Sequence, residues 1–438
     1  RVWLSTHICV LRITPIYRLG SKEIVLIHVV IEQIRVYRKP SSVTYLSLFR
    51  FIMSQTADTP IARIAVVGAA WWSQGWHLPQ LQRNPYAEIA AIVQRSEQPT
   101  AAAFLNLTLD TKTQLLKKYP GVPMFSSCEE MIADAEVMAN VDGVIICTAH
   151  SCHSWMGKLF LDAGIHILME KPMTVDVAEA RTLAEHAAAL SSQGVTFMVN
   201  NTANYRPQYF EARSLIEQGG LGEIHHCLCV MYSPLMFLFD DARNTGWVQP
   251  TGTMIQSDGS GNGFGWGQAS HVLAWVLGAA NLQVDEVTAM THRSQQSGAD
   301  LTDAALIRCS NGCSICFSGS CSYPGNEHGD NATGKHFDIQ IFGSKGVLIF
   351  GGDDKHPNSG NLKVKYHDEG KEDYVSEGFL MENTASEGNG PESLQQFIAA
   401  CRGLPFDNGA DQNVGLEAVR VLNAMYRSAA SKKTEKAQ

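Results

Sequence analysis

The basic side chain of Lys171 is the strongest candidate for proton transfer that the residues alone suggest. Lys171 lies two residues after the apolar run Ile165 to Met169. The carboxyl end of a buried parallel strand faces the crevice in which α/β proteins bind ligands. A nearby positive charge and partial burial would lower the pKa of such a lysine toward neutrality. This lysine could take the proton of an alcohol, while a surface lysine is the ordinary alternative. His271 ends a glycine-rich segment, where a histidine is more often structural, although histidine titrates near physiological pH.

A second group of residues has the order of a dinucleotide-binding turn. Gly68 directly follows the apolar run Ile64 to Val67, where the turn needs a residue without a side chain. The full G-x-G-x-x-G pattern is absent, because Ala70 replaces the second glycine and Gly75 comes one place late. The position at the head of the first strand–helix unit still predicts that Gly68 and Ala70 lie against a cofactor.

The end of the second predicted strand bears on which cofactor is bound. It reads Val93-Gln94-Arg95-Ser96, without the Asp or Glu that accepts from the ribose hydroxyls in NAD sites. Arg95 and Ser96 are suited to a 2′-phosphate, which favours NADP slightly over NAD. An ordinary polar loop is the alternative interpretation of the same residues.

Apolar runs alternate with helical stretches over residues 61–200. The runs are Ile64–Val67, Ile89–Val93, Val144–Cys147, Ile165–Met169 and Val195–Val199. Continuous apolar strands separated by helices predict a parallel sheet covered on both faces, which is a Rossmann dinucleotide-binding domain in an α/β protein.

The pattern changes after residue 200, where an α+β domain with a large, mainly antiparallel open sheet is predicted. The predicted strands are 224–232, 284–292, 304–309, 313–321, 336–342 and 346–350. Asn311-Gly312 indicates a hairpin between two of them. Residues 352–392 are expected to be mostly surface loop, and helices are expected at 207–218, 392–402 and 413–428. The predicted organisation is a basic leader at 1–60, the Rossmann domain at 61–200, a substrate and oligomerisation domain at 201–430, and a polar tail at 431–438.

Composition and charge limit the class of protein. The 438 residues carry a net charge of -9, which argues against general nucleic-acid binding, and no run of about 18 apolar residues predicts a membrane span. Residues 1–52 hold eight Lys or Arg and two Glu, so this leader is +6 and the other 386 residues are -15. We expect a chain starting at Met53 to fold without the leader, with organelle targeting as an alternative.

The eleven cysteines are expected to stay reduced in a cytoplasmic protein. Four of them, Cys309, Cys313, Cys316 and Cys321, have a spacing that resembles a thiolate metal site. A hairpin at Asn311-Gly312 would send these thiols to different faces of the sheet. We therefore expect no metal.

Several segments together resemble the Gfo/Idh/MocA family, which includes glucose–fructose oxidoreductase and inositol dehydrogenase. The segments are VDGVIICTAHSCH at 141–153, LDAGIHILMEKP at 161–172, NYRP at 204–207, LIEQGGLGEI at 215–224, IFGSKG at 341–346 and AMYRS at 424–428. The resemblance spans about residues 61–430 in the right order. It implies a nicotinamide cofactor, a homo-oligomer and a small sugar or polyol substrate.

The resemblance also implies roles for single residues. Lys171 matches the catalytic lysine of the family, and His271 matches its second catalytic residue. His153 and Glu170 match positions beside the cofactor, and Arg206 and Gln268 lie in segments that face the substrate together with His271. The family commonly has Asp four residues before this histidine and three after it, where this chain has Gly267 and Ala274.

These observations predict an NAD(P)-dependent oxidoreductase that acts on a secondary alcohol or hemiacetal carbon of a sugar, cyclitol or related polyol. Two alternatives stay open at this point. One is a cofactor-binding regulator or scaffold that lost turnover, which the missing carboxylates favour. The other is a cofactor-assisted glycosidase or lyase, which would consume no cofactor.

Overall fold

The computed structural model describes residues 60–98, 109–240, 263–324, 335–353, 356–368, 372–379 and 391–438. The predicted basic leader, apart from Pro60, lies outside the described residues.

The first sheet is parallel and has six strands. Its spatial order is β3-β2-β1-β4-β5-β6, with the crossover after β3 that is typical of Rossmann folds. The strands are β1 (Ala62–Val67), β2 (Ala87–Val93), β3 (Met124–Phe125), β4 (Gly143–Ile146), β5 (His166–Met169) and β6 (Phe197–Val199). The central strands β1 and β4 are almost entirely buried and, apart from Arg63, apolar, as expected for a sheet with helices on both faces. The parallel sheet predicted from the apolar runs is confirmed.

Helices connect these strands, and several begin at residues suited to cap them. They are α1 (Leu78–Arg83), α2 (Lys112–Lys118), α3 (Cys128–Ala133), α4 (Ala135–Met138), α5 (His153–Asp162) and α6 (Val177–Ser191). The side chain of Thr111 accepts from Gln114 N–H to cap α2, and that of Asp176 accepts from Glu179 N–H to cap α6. A π-helical segment, Ser73–His77, leads from the first turn into α1.

The second sheet has nine strands in the order β14-β13-β12-β11-β7-β10-β9-β8-β15. The strands are β7 (Ile224–Tyr232), β8 (Val284–Arg293), β9 (Asp300–Cys309), β10 (Ser314–Ser320), β11 (His336–Gly343), β12 (Gly346–Asp353), β13 (His356–Tyr366), β14 (Glu372–Phe379) and β15 (Glu435–Lys436). All neighbours are antiparallel except β7 and β10. Every second residue of β9 and β11 is buried, so one face of the sheet packs on the core.

The hairpin expected at Asn311-Gly312 is confirmed. Gly312 has a φ of 87°, and Cys309 N–H donates to Cys313 C=O at 2.8 Å across the turn. Cys309 and Cys313 both lie on the buried face, whereas Cys316 is only partly buried. Within the described residues, no cluster of His, Cys, Asp and Glu has the arrangement of a metal site.

The surface loop expected at 352–392 is wrong for much of that stretch, because β13 and β14 form a hairpin there at the edge of the sheet. Leu362 and Val364 of β13 lie in the core and Tyr366 packs against it, while Lys363 and Lys365 between them are polar. A strand that buries two side chains at an edge has too few apolar residues to be recognised from its composition.

The remaining helices are α7 (Pro207–Glu217), α8 (Met236–Phe239), α9 (Ser270–Ala279), α10 (Glu392–Cys401) and α11 (Gln412–Ser431). The last two return to the Rossmann sheet. Val199 N–H of β6 donates to Ala410 C=O, and Phe397 and Cys401 of α10 lie against Gly143 of β4. The polar tail ends in β15, which pairs with β8.

No helix in the described part of the chain is both long and apolar enough to cross a membrane.

Candidate active site

Lys171 lies where β5 ends, as its position after the apolar run predicts. Its Nζ donates to the carbonyl oxygen of Gly267. Gly267 belongs to a second π-helical segment, Gly265–Ala269, which leads directly into α9. This contact joins residues that are 96 positions apart and brings the end of the parallel sheet against the start of α9.

Glu170, next to this lysine, is buried and accepts three hydrogen bonds at one oxygen. Its Oε1 accepts from Trp72 Nε1 at 3.0 Å and Asn200 Nδ2 at 2.7 Å, and it is 2.7 Å from His77 Nε2. Burial alone would raise the pKa of Glu170. The hydrogen bond and charge of His77, followed by Asn200 and Lys171, outweigh burial and hold that pKa below its ordinary value. Glu170 is therefore a carboxylate held by three residues from two separate parts of the domain.

His153 begins α5 and is fully buried beside the same strand end. Its Nδ1 is 3.0 Å from the carbonyl oxygen of Pro172, which requires that this nitrogen carry the proton. Burial lowers the pKa of His153, so its ring is neutral. Nε2 is then a buried acceptor, and no donor from the described residues reaches it. The ring of His150 lies 5.4 Å from that of His153.

His271 lies in the first turn of α9, one residue after Ser270. Burial, and then the charges of Lys171 and Lys335, hold the pKa of His271 well below its ordinary value of 6.5. This differs from the expectation of a histidine that titrates near neutrality. A neutral imidazole still accepts a proton or a hydrogen bond from an alcohol. Gln268, three residues earlier, has a buried Oε1 without a donor among the described residues.

The two positions where the family commonly has Asp are used differently here. Gly267 supplies the carbonyl that binds Lys171, and a Cβ at this position would lie 3.1 Å from the ring of Phe239. Ala274 is buried, and its carbonyl accepts from Asn204 Nδ2 at 3.1 Å. At position 267, where the family commonly has the carboxylate of an Asp, this chain therefore offers a backbone carbonyl to the amine of Lys171.

The glycine turn has the geometry that a dinucleotide needs. Gly68 has a φ of 89°, and a Cβ there would lie 2.3 Å from the carbonyl oxygen of Cys147. Ser73 Oγ donates to the carbonyl oxygen of Gly68 and closes the turn. Ala70 follows between this glycine and the first π-helical segment, so the backbone at Ala70 is close to where a pyrophosphate binds in such turns.

The end of β2 includes a residue that the sequence argument did not single out. Gln94 Oε1 accepts from Ala69 N–H at 3.1 Å, and Gln94 Nε2 donates to Ser96 C=O at 3.1 Å. The glutamine thus joins the glycine turn to the segment that holds Arg95 and Ser96. Arg95 is exposed, and Ser96 Oγ donates to Gln98 C=O at 2.8 Å. Sequence could have suggested Gln94, because it stands where the acid of an NAD site would be.

Arg206 forms an ion pair with a residue of another helix. It precedes α7, and its Nε is 3.4 Å from Glu392 Oε1 at the start of α10. Its proposed contact with substrate stays a prediction, and its ion pair is a sufficient structural reason for its presence.

The described residues fit a nicotinamide dinucleotide. Gly68 has the positive φ of a dinucleotide-binding turn, and three buried acceptor atoms of residues around the end of β5 and the start of α9 have no partner within the described chain: His153 Nε2, Asn200 Oδ1 and Gln268 Oε1. Buried polar atoms are normally satisfied, and a ligand with amide N–H donors would satisfy these acceptors.

Comparison with known proteins identifies the family. A profile described as an oxidoreductase family with an NAD-binding Rossmann fold matches residues 62–201, and that of the Gfo/Idh/MocA C-terminal domain matches residues 209–349. The chain belongs to the Gfo/Idh/MocA oxidoreductase family. The resemblance noted in the sequence is thereby confirmed, as is the predicted fold class.

Curated relatives of this Gfo/Idh/MocA protein include enzymes that act on small alcohols. The chain is 33% identical over 140 residues to the NADP-dependent D-xylose 1-dehydrogenase of Hypocrea jecorina, which covers 31% of each protein. It is 25% identical over 246 residues to the trans-1,2-dihydrobenzene-1,2-diol dehydrogenase of Bos taurus, covering 56% of this chain and 63% of that enzyme. In the first curated relatives, the match spans about 40% of their own length.

The likeness to solved structures extends over most of the described fold. GenD2 from gentamicin A biosynthesis, solved in complex with NAD, superposes with a TM-score of 0.61 at 22% identity. The match covers 87% of this chain and 97% of GenD2. At this identity, the likeness shows that the Gfo/Idh/MocA fold is shared.

Proposed function

We propose that this protein is an NAD(P)-dependent oxidoreductase that interconverts a secondary alcohol or hemiacetal carbon of a sugar, cyclitol or related polyol with the corresponding carbonyl. The observation that carries the proposal is the contact of Lys171 with the Gly265–Ala269 segment, which brings an amine, a neutral imidazole and an unpartnered amide to one place. The bound nicotinamide would accept or supply the hydride at C4.

The chain's own residues would handle the proton. When the carbinol C–H bond breaks and its electron pair leaves as hydride, the O–H proton passes to the lysine amine or to the imidazole of His271, and a C=O bond forms. Gln268 would orient the substrate hydroxyls through its free Oε1. Glu170 would stabilise the positive charge of the adjacent lysine ammonium.

Lys171→Met tests this proposal most directly. Methionine keeps most of the stem volume but has no titrating nitrogen, so we expect turnover to fall by about 10²–10⁴ while cofactor binding is kept. Steady-state rates on a panel of sugars and polyols and fluorescence titration with NADPH and NADH would measure both effects.

The matched control is Lys158→Met. Lys158 is an exposed lysine of α5, paired with Asp162 at 2.7 Å, so its loss should change neither rate nor binding. Equal rates for Lys171→Met and the unmodified enzyme would contradict the role of Lys171. Tight cofactor binding by the unmodified protein, with no turnover of any substrate on the panel, would favour a regulator instead.

We propose NADP(H) as the preferred cofactor. Support comes from the neutral Gln94 at the end of β2 and from the exposed guanidinium of Arg95 beside it. Arg95→Ala should narrow the difference in binding free energy between NADPH and NADH by about 1–2 kcal/mol, the scale of a charge-assisted hydrogen bond. Arg181→Ala, which removes an exposed arginine from α6, is the control. A clear preference of the unmodified protein for NADH would refute the proposal.

We also propose a cytoplasmic homo-oligomer that associates through the open face of the second sheet. Met290 of β8 and Leu306 of β9 are 78% and 63% exposed on the face that points away from the core. Thr288 pairs with Leu306 and Met290 with Ala304, so the two apolar side chains lie on neighbouring strands. A second copy could cover this patch.

The cytoplasmic location is supported by the free cysteines. Buried thiols such as Cys147 and Cys227 are preserved best in a reducing compartment.

A further inference from the structure

The acceptor of the lysine amine belongs to a segment that other parts of the chain hold in place. Lys171 Nζ donates to Gly267 C=O, and the Gly265–Ala269 segment also carries Gln268 and ends just before the turn of His271. The position of this segment therefore determines where the amine, the amide and the imidazole lie relative to one another.

Asp300, the first residue of β9, holds the beginning of the segment. Its carboxylate is completely buried, and Oδ2 accepts from the backbone N–H of Gly265 at 2.7 Å. The backbones of Gly263 and Asp300 also form an isolated bridge. Gly263 has a φ of 109°, and a Cβ there would lie 2.6 Å from Asp300 C=O. Only glycine at position 263 allows the backbone to come this close to Asp300.

Tyr426 of α11 holds the next residue of the segment. Its hydroxyl accepts from Trp266 N–H at 3.2 Å and donates to the carboxylate of Asp300, 3.0 Å from each oxygen. Its ring stacks on that of Trp266, with centroids 5.8 Å apart and an angle of 14°. A side chain from the last helix thus links the segment to Asp300.

A second carboxyl group lies beside Asp300. Asp303 is buried, and its Oδ1 accepts from Thr291 Oγ1 at 2.8 Å. Its Oδ2 is buried beside Asp300, so the one partner that the described residues offer it is a proton shared with Asp300. Burial, and then the charge of Asp300, raise the pKa of Asp303 well above its ordinary value. Burial raises the pKa of Asp300 as well, so the two carboxyl groups hold a proton between them more readily than two exposed ones would, while Asp300 accepts from Gly265 N–H and from Tyr426.

We propose that Asp300 and Tyr426 are positioning residues for proton transfer at Lys171. They clamp the Gly265–Ala269 segment, whose Gly267 carbonyl in turn orients the lysine amine toward the substrate. Neither residue reaches the reacting atoms, and both act through the backbone of the segment. The inference rests on the proposed oxidoreductase function for its kinetic consequence, but not for the clamp itself.

Tyr426→Phe is the most informative variant, because it keeps the ring stacked on Trp266 and removes only the hydroxyl. We expect kcat to fall about tenfold, since two buried hydrogen bonds to the segment and to Asp300 are lost. The KM for the cofactor should stay within about twofold, because the glycine turn is untouched. The limb of the pH–rate profile that depends on Lys171 should also move. Asp300→Asn, which weakens the acceptor for Gly265 N–H and the Tyr426 hydroxyl, should act in the same direction.

Ser428→Ala is the matched control. Ser428 lies two residues further along α11, is completely buried, and also makes two hydrogen bonds, from Ala289 N–H at 2.9 Å and to Lys433 C=O at 2.6 Å. Its contacts reach β8 and the chain end instead of the segment. We expect a comparable decrease in melting temperature with kcat and the pH profile unchanged.

Hydrogen–deuterium exchange tests the clamp without any turnover. Amides in the peptide covering residues 263–272 should exchange faster in Tyr426→Phe than in the unmodified protein, and at the original rate in Ser428→Ala. The inference is overturned if exchange in this peptide is unchanged in Tyr426→Phe, or if both variants lower kcat equally. An unmodified protein that transfers no hydride would refute the proposed function, while the exchange rates would still decide whether the clamp exists.

Discussion

One carboxylate oxygen, Oε1 of Glu170, is bound by side chains that are far apart in the sequence. Trp72 and His77 approach it from the stretch between β1 and α1, and Asn200 approaches from the end of β6. A buried carboxylate is costly unless it is paired and fully hydrogen-bonded. Removing any one donor would therefore disturb the strand end that carries Lys171, even though that donor lies outside the site predicted from the sequence.

The neutral buried histidines predict a pH dependence of stability. Burial lowers the pKa of His150, His153 and His271, so each stays neutral in the folded protein at pH values where the unfolded chain binds a proton. The unfolded state then binds more protons below the ordinary value of 6.5, and the free energy of unfolding falls as the pH falls below it. Each such histidine adds up to about 1.4 kcal/mol per pH unit to this slope.

Urea denaturation at pH 7.5 and pH 5.5 would measure this slope. In His153→Gln, the difference between the two free energies of unfolding should be smaller than in the unmodified protein, because one of the groups has been removed. His225→Gln replaces an exposed histidine and should leave the difference unchanged. A protein that is more stable at pH 5.5 than at pH 7.5 would contradict the sign of the effect.

At the scale of elements, the turn after β1 requires glycine at position 68 but not at position 75. Gly68 has a positive φ and a carbonyl 2.3 Å from where its Cβ would be, whereas a Cβ on Gly75 would meet nothing within 4 Å. Gly68→Ala should lower the free energy of unfolding by about 1–3 kcal/mol and weaken cofactor binding. Gly75→Ala, inside a helical segment, should be neutral or stabilising by up to about 1 kcal/mol.

Thermal unfolding with and without NADPH would compare the two glycine variants. Equal losses of stability in both would show that the turn does not depend on the conformation of Gly68.

The elements that sequence predicted best are those with continuous or alternating apolar residues. The runs that became β1, β2, β4 and β5 are buried on both sides by helices, so their pattern follows directly from their surroundings. The strands β13 and β14 were missed because an edge hairpin needs few apolar residues. The short β3 pairs only two residues with β2, which leaves almost no pattern to detect.

The candidate site was predictable only in part, for a related reason. Lys171 and Gly68 stand at strand ends, where position along the chain already suggests a ligand. Asp300 and Tyr426 became connected to the site only through folding, because they are separated from Lys171 by 129 and 255 positions, respectively. No local spacing indicates that an aspartate in one strand and a tyrosine in the last helix hold the same short segment.

At the scale of the whole molecule, the open sheet face predicts a state of association. Leu306→Glu places a charge in the exposed patch formed with Met290, so a dimer or larger assembly should dissociate toward single chains of 47.9 kDa. Light scattering coupled to size-exclusion chromatography would measure the mass. Leu116→Glu, at an exposed leucine of α2, is the control and should keep the assembly. An unmodified protein with the mass of one chain would refute the proposed association.

The position of Tyr426, 255 residues after Lys171, has a consequence for synthesis on the ribosome. Domains generally fold as they emerge, beginning from the N-terminus. Val199 of β6 donates to Ala410 C=O, and Tyr426 of α11 holds the segment beside Lys171, so these contacts become possible only after residues 410–426 have left the exit tunnel. The nascent protein can form its glycine turn early, but the acceptor for the lysine amine is held only after α11 has emerged. Translation that stops before Tyr426 would therefore release a chain without a held proton-transfer site, whatever else of the fold it contains.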